Sequence, residues 1–269
     1  MDFGVHLPLM RFAGELSPAR VNGTVDAARE CGFAAVSAND HLVFQTPWLD
    51  GPTALTSVIE RSGDLELATT VALVVIRGVA ALTKTLGAID VLSEGRLIAG
   101  VGPGSSKRDY DLAGIPFDER WPRFDAALVE LRNELPGVPI WVGSWGSKAG
   151  LARVKRAADG WLASAYNTTP ERFAAARTVL PAGFPNALAT MWTWITDDRA
   201  ERDRVLTQVL GPLLKRDPET LQLCVGSPEH CAELLSHYAQ AGCRRVYLWP
   251  LGDERRQLER IAREVIPLV

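Results

Sequence analysis

Gly95-Arg96-Leu97-Ile98-Ala99-Gly100-Val101-Gly102-Pro103-Gly104 is the stretch on which the fold depends. A helical pattern runs into it, a short apolar run from Leu97 to Val101 crosses it, and glycines carry the chain out. The run is continuously apolar rather than alternating, which suits a strand covered on both faces. The same unit recurs along the chain. Further runs are Phe3–Leu7, Ala34–Ala38, Leu65–Leu73, Pro139–Gly143, Gly160–Ala165, Leu188–Ile195 and Arg245–Trp249. Eight such runs with helical patterns between them predict a closed (β/α)8 TIM barrel in the α/β class, one domain over residues 1–269. A doubly wound open sheet is the other arrangement of the same units. It expects Gly-x-Gly-x-x-Gly after strand one, where His6-Leu7-Pro8-Leu9 stands instead.

The intervening helices announce their starts. Ser17-Pro18 supplies a capping hydroxyl and a first-turn proline, and Thr169-Pro170-Glu171 and Ser227-Pro228-Glu229 repeat that signal. Val21, Val25 and Ala28 form one apolar stripe, as do Leu258, Ile261 and Val265. Asp197 to Arg204 mixes charge signs and reads as a solvated helix face. Pro103–Pro122 has the weakest periodicity and follows strand four at the barrel's C-terminal end, where function usually sits.

Composition narrows the chemistry. The 269 residues carry 29 Lys plus Arg against 32 Asp plus Glu, a net charge of −3. No basic excess exists to displace phosphate counterions, so nucleic acid is not an expected partner. No apolar run reaches the roughly 20 residues of a membrane span, and no signal peptide is visible, so neither membrane nor export is expected. Cys31, Cys224, Cys231 and Cys243 form no Cys-x-x-Cys pair and read as reduced thiols of a cytoplasmic protein. His6, His41, His230 and His237 lack metal-ligand spacing, so no metal site is expected. No Gly-x-Ser-x-Gly elbow anchors a hydrolase triad.

Candidate site residues gather where strands are expected to end. Asn39-Asp40-His41 follows strand two, and its imidazole can hydrogen-bond a ring edge or move a proton near neutral pH, with Asp40 orienting it. Thr69-Thr70-Val71 ends strand three. Gly100, Gly102 and Gly104 let backbone approach a ligand after strand four. Gly143-Ser144-Trp145-Gly146-Ser147-Lys148 opens a helix whose free N–H groups suit a phosphate. Ser164 and Asn167 offer a hydroxyl and an amide after strand six. Trp48, Trp145, Trp161 and Trp249 lie near strand ends, where indoles can wall a planar ring.

In this order the pieces resemble the luciferase-like monooxygenase superfamily, nearly end to end. The most specific stretch is Leu86-Gly87-Ala88-Ile89-Asp90-Val91-Leu92-Ser93-Glu94-Gly95-Arg96, followed by the strand and its glycine loop. Gly32-Phe33 leading to Asp40-His41, Ala157-Ala158-Asp159-Gly160-Trp161, Val225-Gly226-Ser227-Pro228-Glu229 and Ala241-Gly242 also fit. The resemblance implies a tricyclic cofactor at the C-terminal mouth. Asp40-His41 is similar to the pair of the coenzyme F420 branch, whereas the FMN branch more often shows Glu-His. It further implies a non-proline cis peptide at Thr70–Val71 behind the ring, with Val71 backing it. Gly143 and Ser144 would run under the ring, Ser164 would meet a phosphate, and Trp48 would be an active-site tryptophan. Lys107, Arg108 and Lys148 would meet the cofactor's acidic tail.

The chain departs from that pattern at four points. Ser105 stands where related sugar-phosphate dehydrogenases carry Glu, Asn167 where a Lys often meets phosphate, and Val79 where Pro usually follows Arg77. The segment between Leu131 and Val138 lacks the usual tens of residues that cover the substrate. This shortened insertion before strand five predicts a shallow, open mouth or one completed by a second subunit of a homodimer. The expected function is F420-dependent hydride transfer to or from a small organic substrate. An FMN-dependent monooxygenase and a non-catalytic flavin-binding barrel are the alternatives.

Overall fold

A computed structural model describes residues 1–10, 12, 15–214 and 216–269. Its sheet closes. The barrel strands are β1 (Asp2–His6), β2 (Ala35–Ala38), β3 (Glu66–Thr69), β4 (Leu97–Gly102), β5 (Ile140–Gly143), β6 (Gly160–Ser164), β7 (Asn186–Ile195) and β8 (Arg245–Pro250). Each pairs in parallel with the next, and β8 pairs with both β7 and β1, as in Val246 against Leu188 and against Phe3. That closure excludes the open sheet. Two short strands sit off the ring, Ala72–Leu73 against β4 and Cys224–Gly226 against β7.

Helices pack outside the ring for the reasons their sequences give. Helix Pro18–Glu30 starts on the Ser17 side chain, which accepts from Arg20 N, and it buries Val21, Val25 and Ala28. Thr169 and Ser227 cap helices Pro170–Arg177 and Pro228–Gln240 in the same way. Leu258, Ile261 and Val265 are buried, and Arg199–Arg204 buries none of its residues, as its charges predict. The core lies mainly between the strands and these helices. The four cysteines are free thiols, and among the described residues no helix is long and apolar enough to cross a membrane.

Inside the ring, alternation sorts the side chains into layers. Ala35, Ala68, Ile98, Leu162, Ala187 and Tyr247 form a dry plug, with Val71 and Trp141 against it. One pleat further toward the C-terminal ends lie His6, Ser37, Thr70, Gly100, Ser164 and Trp249. The plug thus forms the floor beneath the mouth.

β7 breaks this alternation. Thr190 has φ of 62°, and the register against β8 shifts between Val246 and Leu248, which meet Leu188 and Met191. Three residues on β7 span two on β8, so the extra residue is a bulge. Beyond it Met191 joins the outer core, while Trp192 packs against Trp249.

Candidate active site

The loop after β2 carries the first cluster, and an ion-pair clamp fixes it. Asp40 is buried, and its carboxylate receives Arg77 Nε at 2.5 Å, Arg77 Nη2 at 2.6 Å and Leu73 N at 3.1 Å. Arg77 also bridges to Asp50, which caps helix Gly51–Ser57 through Thr53 N at 2.9 Å. Burial opposes the charge on Arg77, but the two carboxylates raise its pKa further above an already high value. The clamp ties the loop after β2 to the segment after β3.

Asp40 therefore does not orient His41; its oxygens are committed to Arg77 and Leu73. The orienting carboxylate is Asp109. His41 Nδ1 lies 2.9 Å from Asp109 Oδ2, and Val43 N donates to Asp109 Oδ1 at 2.8 Å. Asp109 is 1% exposed, yet it stays ionised. Burial pushes its pKa up, but the bonds from His41 and the Val43 and Leu42 backbone outweigh that and hold it below the usual carboxylate range. An ionised carboxylate only accepts, so Nδ1 donates, and a ring carrying that single proton has Nε2 left to accept. Asp109 belongs to helix Lys107–Ala113, which Ser106 caps. Sequence reading left this stretch irregular. Nothing local in the sequence points from residue 109 to residue 41.

Val71 forms the second element. The Thr70–Val71 peptide is cis. Gly102 and Gly143 accommodate the Val71 side chain, since a Cβ there would come within 2.8 and 3.0 Å of its methyls. A Cβ on Gly100 would lie 1.9 Å from Thr69 O, so only glycine fits. Val71, Gly102 and Gly143 thus meet as expected, forming a smooth seat above the plug. Thr70 Oγ1, Ser37 Oγ and Asn39 Oδ1 are buried beside it and have no partner among the described residues. The peptide N–H of Asn39 donates to His6 Nε2 at 3.0 Å.

The remaining residues divide. Ser144 Oγ accepts from Gly146 N at 3.3 Å, and its carbonyl accepts from Trp161 Nε1 at 2.9 Å, so it shapes the loop after β5. Ser164 and Asn167 form the turn after β6, where Asn167 N donates to Ser164 O at 3.0 Å. Trp145 is 55% exposed on the rim. Gly104 has φ of 86°, and its missing Cβ would face Ile76 and Leu73, so it serves the turn and not the seat. Lys107 is paired with Asp111 at 2.6 Å.

The opposite half of the mouth is aromatic. His6 stacks on Trp249 with centroids 3.6 Å apart, and Trp249 stacks on Trp192 at 4.1 Å. Trp48 meets Trp249 edge-on at 5.6 Å and His41 at 4.9 Å, which places Trp48 beside the base as expected. His6 is neutral: Nδ1 donates to Leu7 O at 2.7 Å, and burial pushes its pKa down to about 3 despite that bond and the one from Asn39. The Nε1 atoms of Trp48, Trp192, Trp194 and Trp249 are buried and find no acceptor among the described residues. A buried unpaired donor costs about 1–3 kcal/mol. Val205, Leu206, Leu210 and Leu214 close over this cluster. Gln45 Nε2 donates to Leu213 O at 3.1 Å, and Tyr166 OH to Leu214 O at 2.7 Å.

This cover lies over the aromatic side of the mouth, for which the short connection before β5 predicts an open mouth or one completed by a second subunit. The connection before β5 is short, since helix Arg120–Glu134 is followed by Ile140. The cover comes instead from residues 205–214, after β7.

Comparison with known proteins gives the same identification as the motifs. Residues 1–133 match the model of the luciferase-like monooxygenase family. An uncharacterized protein of Mycobacterium tuberculosis is 26% identical over 166 residues, covering 52% of this chain and 55% of that protein. The chain thus spans about half the length of the curated relatives it matches. The fold matches solved structures over its whole length. The monooxygenase RslO1 of Streptomyces bottropensis superposes with a TM-score of 0.83 at 18% identity, covering 99% of each chain. An F420-dependent secondary alcohol dehydrogenase, solved with an F420–acetone adduct, gives 0.81 at 13% identity over 100% of this chain and 98% of that one. The oxygenating constituent of 3,6-diketocamphane monooxygenase of Pseudomonas putida, solved with FMN, gives 0.74 at 15%, covering 100% and 98%.

Proposed function

From a luciferase-like barrel with a base, a smooth seat and an aromatic wall at one mouth, we propose an oxidoreductase that works with a flavin-type cofactor, coenzyme F420 in the leading reading. The carrying observation is the Asp109–His41 pair beside Trp48, on the loop after β2, whose neighbour β3 leads into the Val71 seat. The residues fit such a group. Val71 on Gly102 and Gly143 offers an apolar surface for a flat ring, and the unpaired Thr70 and Ser37 hydroxyls and Asn39 amide oxygen lie buried beside it. Ser164 and the Gly143–Ser144 turn would hold the side arm. F420 supplies two-electron hydride chemistry at a ring carbon.

The chain's own contribution is proton handling and exclusion of water. Asp109 fixes the His41 ring so that Nε2 can take a proton from a substrate hydroxyl or return it to a carbonyl oxygen. The Asp40–Arg77–Asp50 clamp holds the loop that carries His41. Residues 205–214 keep water off the aromatic side. That shelter is also the observation that favours FMN-dependent monooxygenation as the second reading, because such chemistry needs a dry pocket.

Titration of the purified protein with F420 and with FMN, followed by tryptophan quenching, separates the two. Tight F420 binding without FMN binding supports the first reading. FMN binding alone reverses the order, and binding of neither removes both.

A further inference from the structure

The outer face of helix Val79–Leu92 is apolar. Its exposed residues are Ala80, Ala81, Lys84, Ala88, Val91 and Leu92, with one charge among them. Helix Pro228–Gln240 exposes Glu229, His230, Glu233, His237 and Gln240 instead. A helix with one side in water carries polar residues there, whereas one that is apolar all round is covered on every side. Leu82, Leu86 and Ile89 already face the core, so the remaining cover comes from outside the chain. Val91 is 75% exposed and Leu92 61%, and Val129 on the next helix, Arg120–Glu134, extends the patch at 62%. Between the two helices runs a groove of about 940 Å³. At its floor a Cβ on Gly87 would lie 3.3 Å from Leu135 Cδ2.

The charges along this groove are unpaired. Lys84 stands on one wall, and Glu130 and Glu134 stand on the other. None of the three forms an ion pair among the described residues. Beside them, Arg123 pairs with Glu119 and Arg132 with Asp159.

We propose that this face is the interface of a symmetric homodimer, with the groove on its two-fold axis. Neighbouring barrel helices run in the same direction, and a two-fold axis through the groove turns the second copy end for end. Helix Val79–Leu92 of each copy then lies antiparallel over helix Arg120–Glu134 of the other. Such a contact is isologous, so each Lys84 meets the partner's Glu130 and Glu134, and the pairing occurs twice. The opposite charges set the orientation of docking, while Val91, Leu92 and Val129 supply apolar surface to remove from water. The second subunit lies on the flank of the barrel and not over its mouth, so the association is independent of the proposed function.

Analytical ultracentrifugation of the full chain should give twice the chain's mass. Ala88→Arg places a charge on the exposed face without touching the core, and it should give a monomer with an unchanged far-ultraviolet spectrum. Lys84→Glu and Glu130→Lys each set like charges opposite one another at two symmetric places, so each should weaken association about tenfold. Mixing these two variants should restore it, because in the mixed dimer residues 84 and 130 again carry opposite charges at both places. An ion pair within one chain is not repaired by mixing. An unaltered chain that sediments as a monomer, a dimer that survives Ala88→Arg, or variants that mixing does not repair overturns the proposal.

Discussion

The two halves of the barrel mouth are built on opposite plans. From β3 to β5 the top layer is made of glycines and one valine, with the hydroxyls of Ser37 and Thr70 beside them. From β7 through β1 it is made of His6, Trp192 and Trp249, joined by Trp48 from the next loop. The first half gains its shape by leaving side chains out; the second gains it by stacking them. His41 lies at the border, held by a carboxylate from the glycine side and touching an indole from the other. Such a mouth is smooth on one side and filled on the other, with an imidazole between the two.

The sharpest way to break this comparison is at the border. On the proposed function, His41→Ala should lower the turnover of the cofactor-loaded protein about a thousandfold, or about 4 kcal/mol of barrier. Stopped-flow reduction of the bound cofactor measures it; an unchanged rate removes His41 from the chemistry. Asp40→Ala comes next. It strands Arg77 beside Asp50 and should cost about 3 kcal/mol in urea unfolding at neutral pH, since removing one member of a buried pair leaves a charge uncompensated. Were the loss near zero, the clamp would not be what holds the loop.

The aromatic half has its own signature in acid. His6 stays neutral in the fold down to about pH 3 but takes a proton near pH 6.5 when unfolded. Its folded pKa is depressed, so its contribution is complete above pH 6.5 and is lost as pH falls from there toward 3. Between pH 6.5 and 5 the parent should therefore lose about 2 kcal/mol that His6→Gln does not lose, read from urea midpoints at both pH values. Parallel curves would mean that His6 is already charged. The smallest effect is expected in a glycine outside the seat. Gly23 has open space where a Cβ would go and lies inside helix Pro18–Glu30, so Gly23→Ala should raise stability by about 1 kcal/mol. The same change at Gly100, where a Cβ would meet Thr69 O, should abolish folding or lower the melting temperature steeply. Equal effects at the two positions would show that the seat is not sterically fixed.

The sequence made the barrel legible because each of its strands is a local apolar run bounded by its own turn and cap. Val71, Gly102 and Gly143 were legible through resemblance, and they do meet. What escaped depended on distance or phase. Asp109 reaches His41 from another unit of the barrel, and the Asp40-His41 dipeptide suggested a partnership between neighbours that the fold does not make. The cover at residues 205–214 was hidden because Val205, Leu206, Leu210 and Leu214 look like any apolar helix stripe, and nothing in their spacing says which end of the barrel they meet. Trp192 escaped because strand alternation carried through residue 190 points Met191, not Trp192, into the barrel.

That bulge has an evolutionary consequence. Because one surplus residue sets which side chain faces inward beyond it, a substitution that returned residue 190 to regular strand geometry at unchanged chain length would exchange tryptophan for methionine in the lining. No residue on the far side of the opening would change. The two sides of the opening can therefore drift separately in a lineage, through events as small as one substitution.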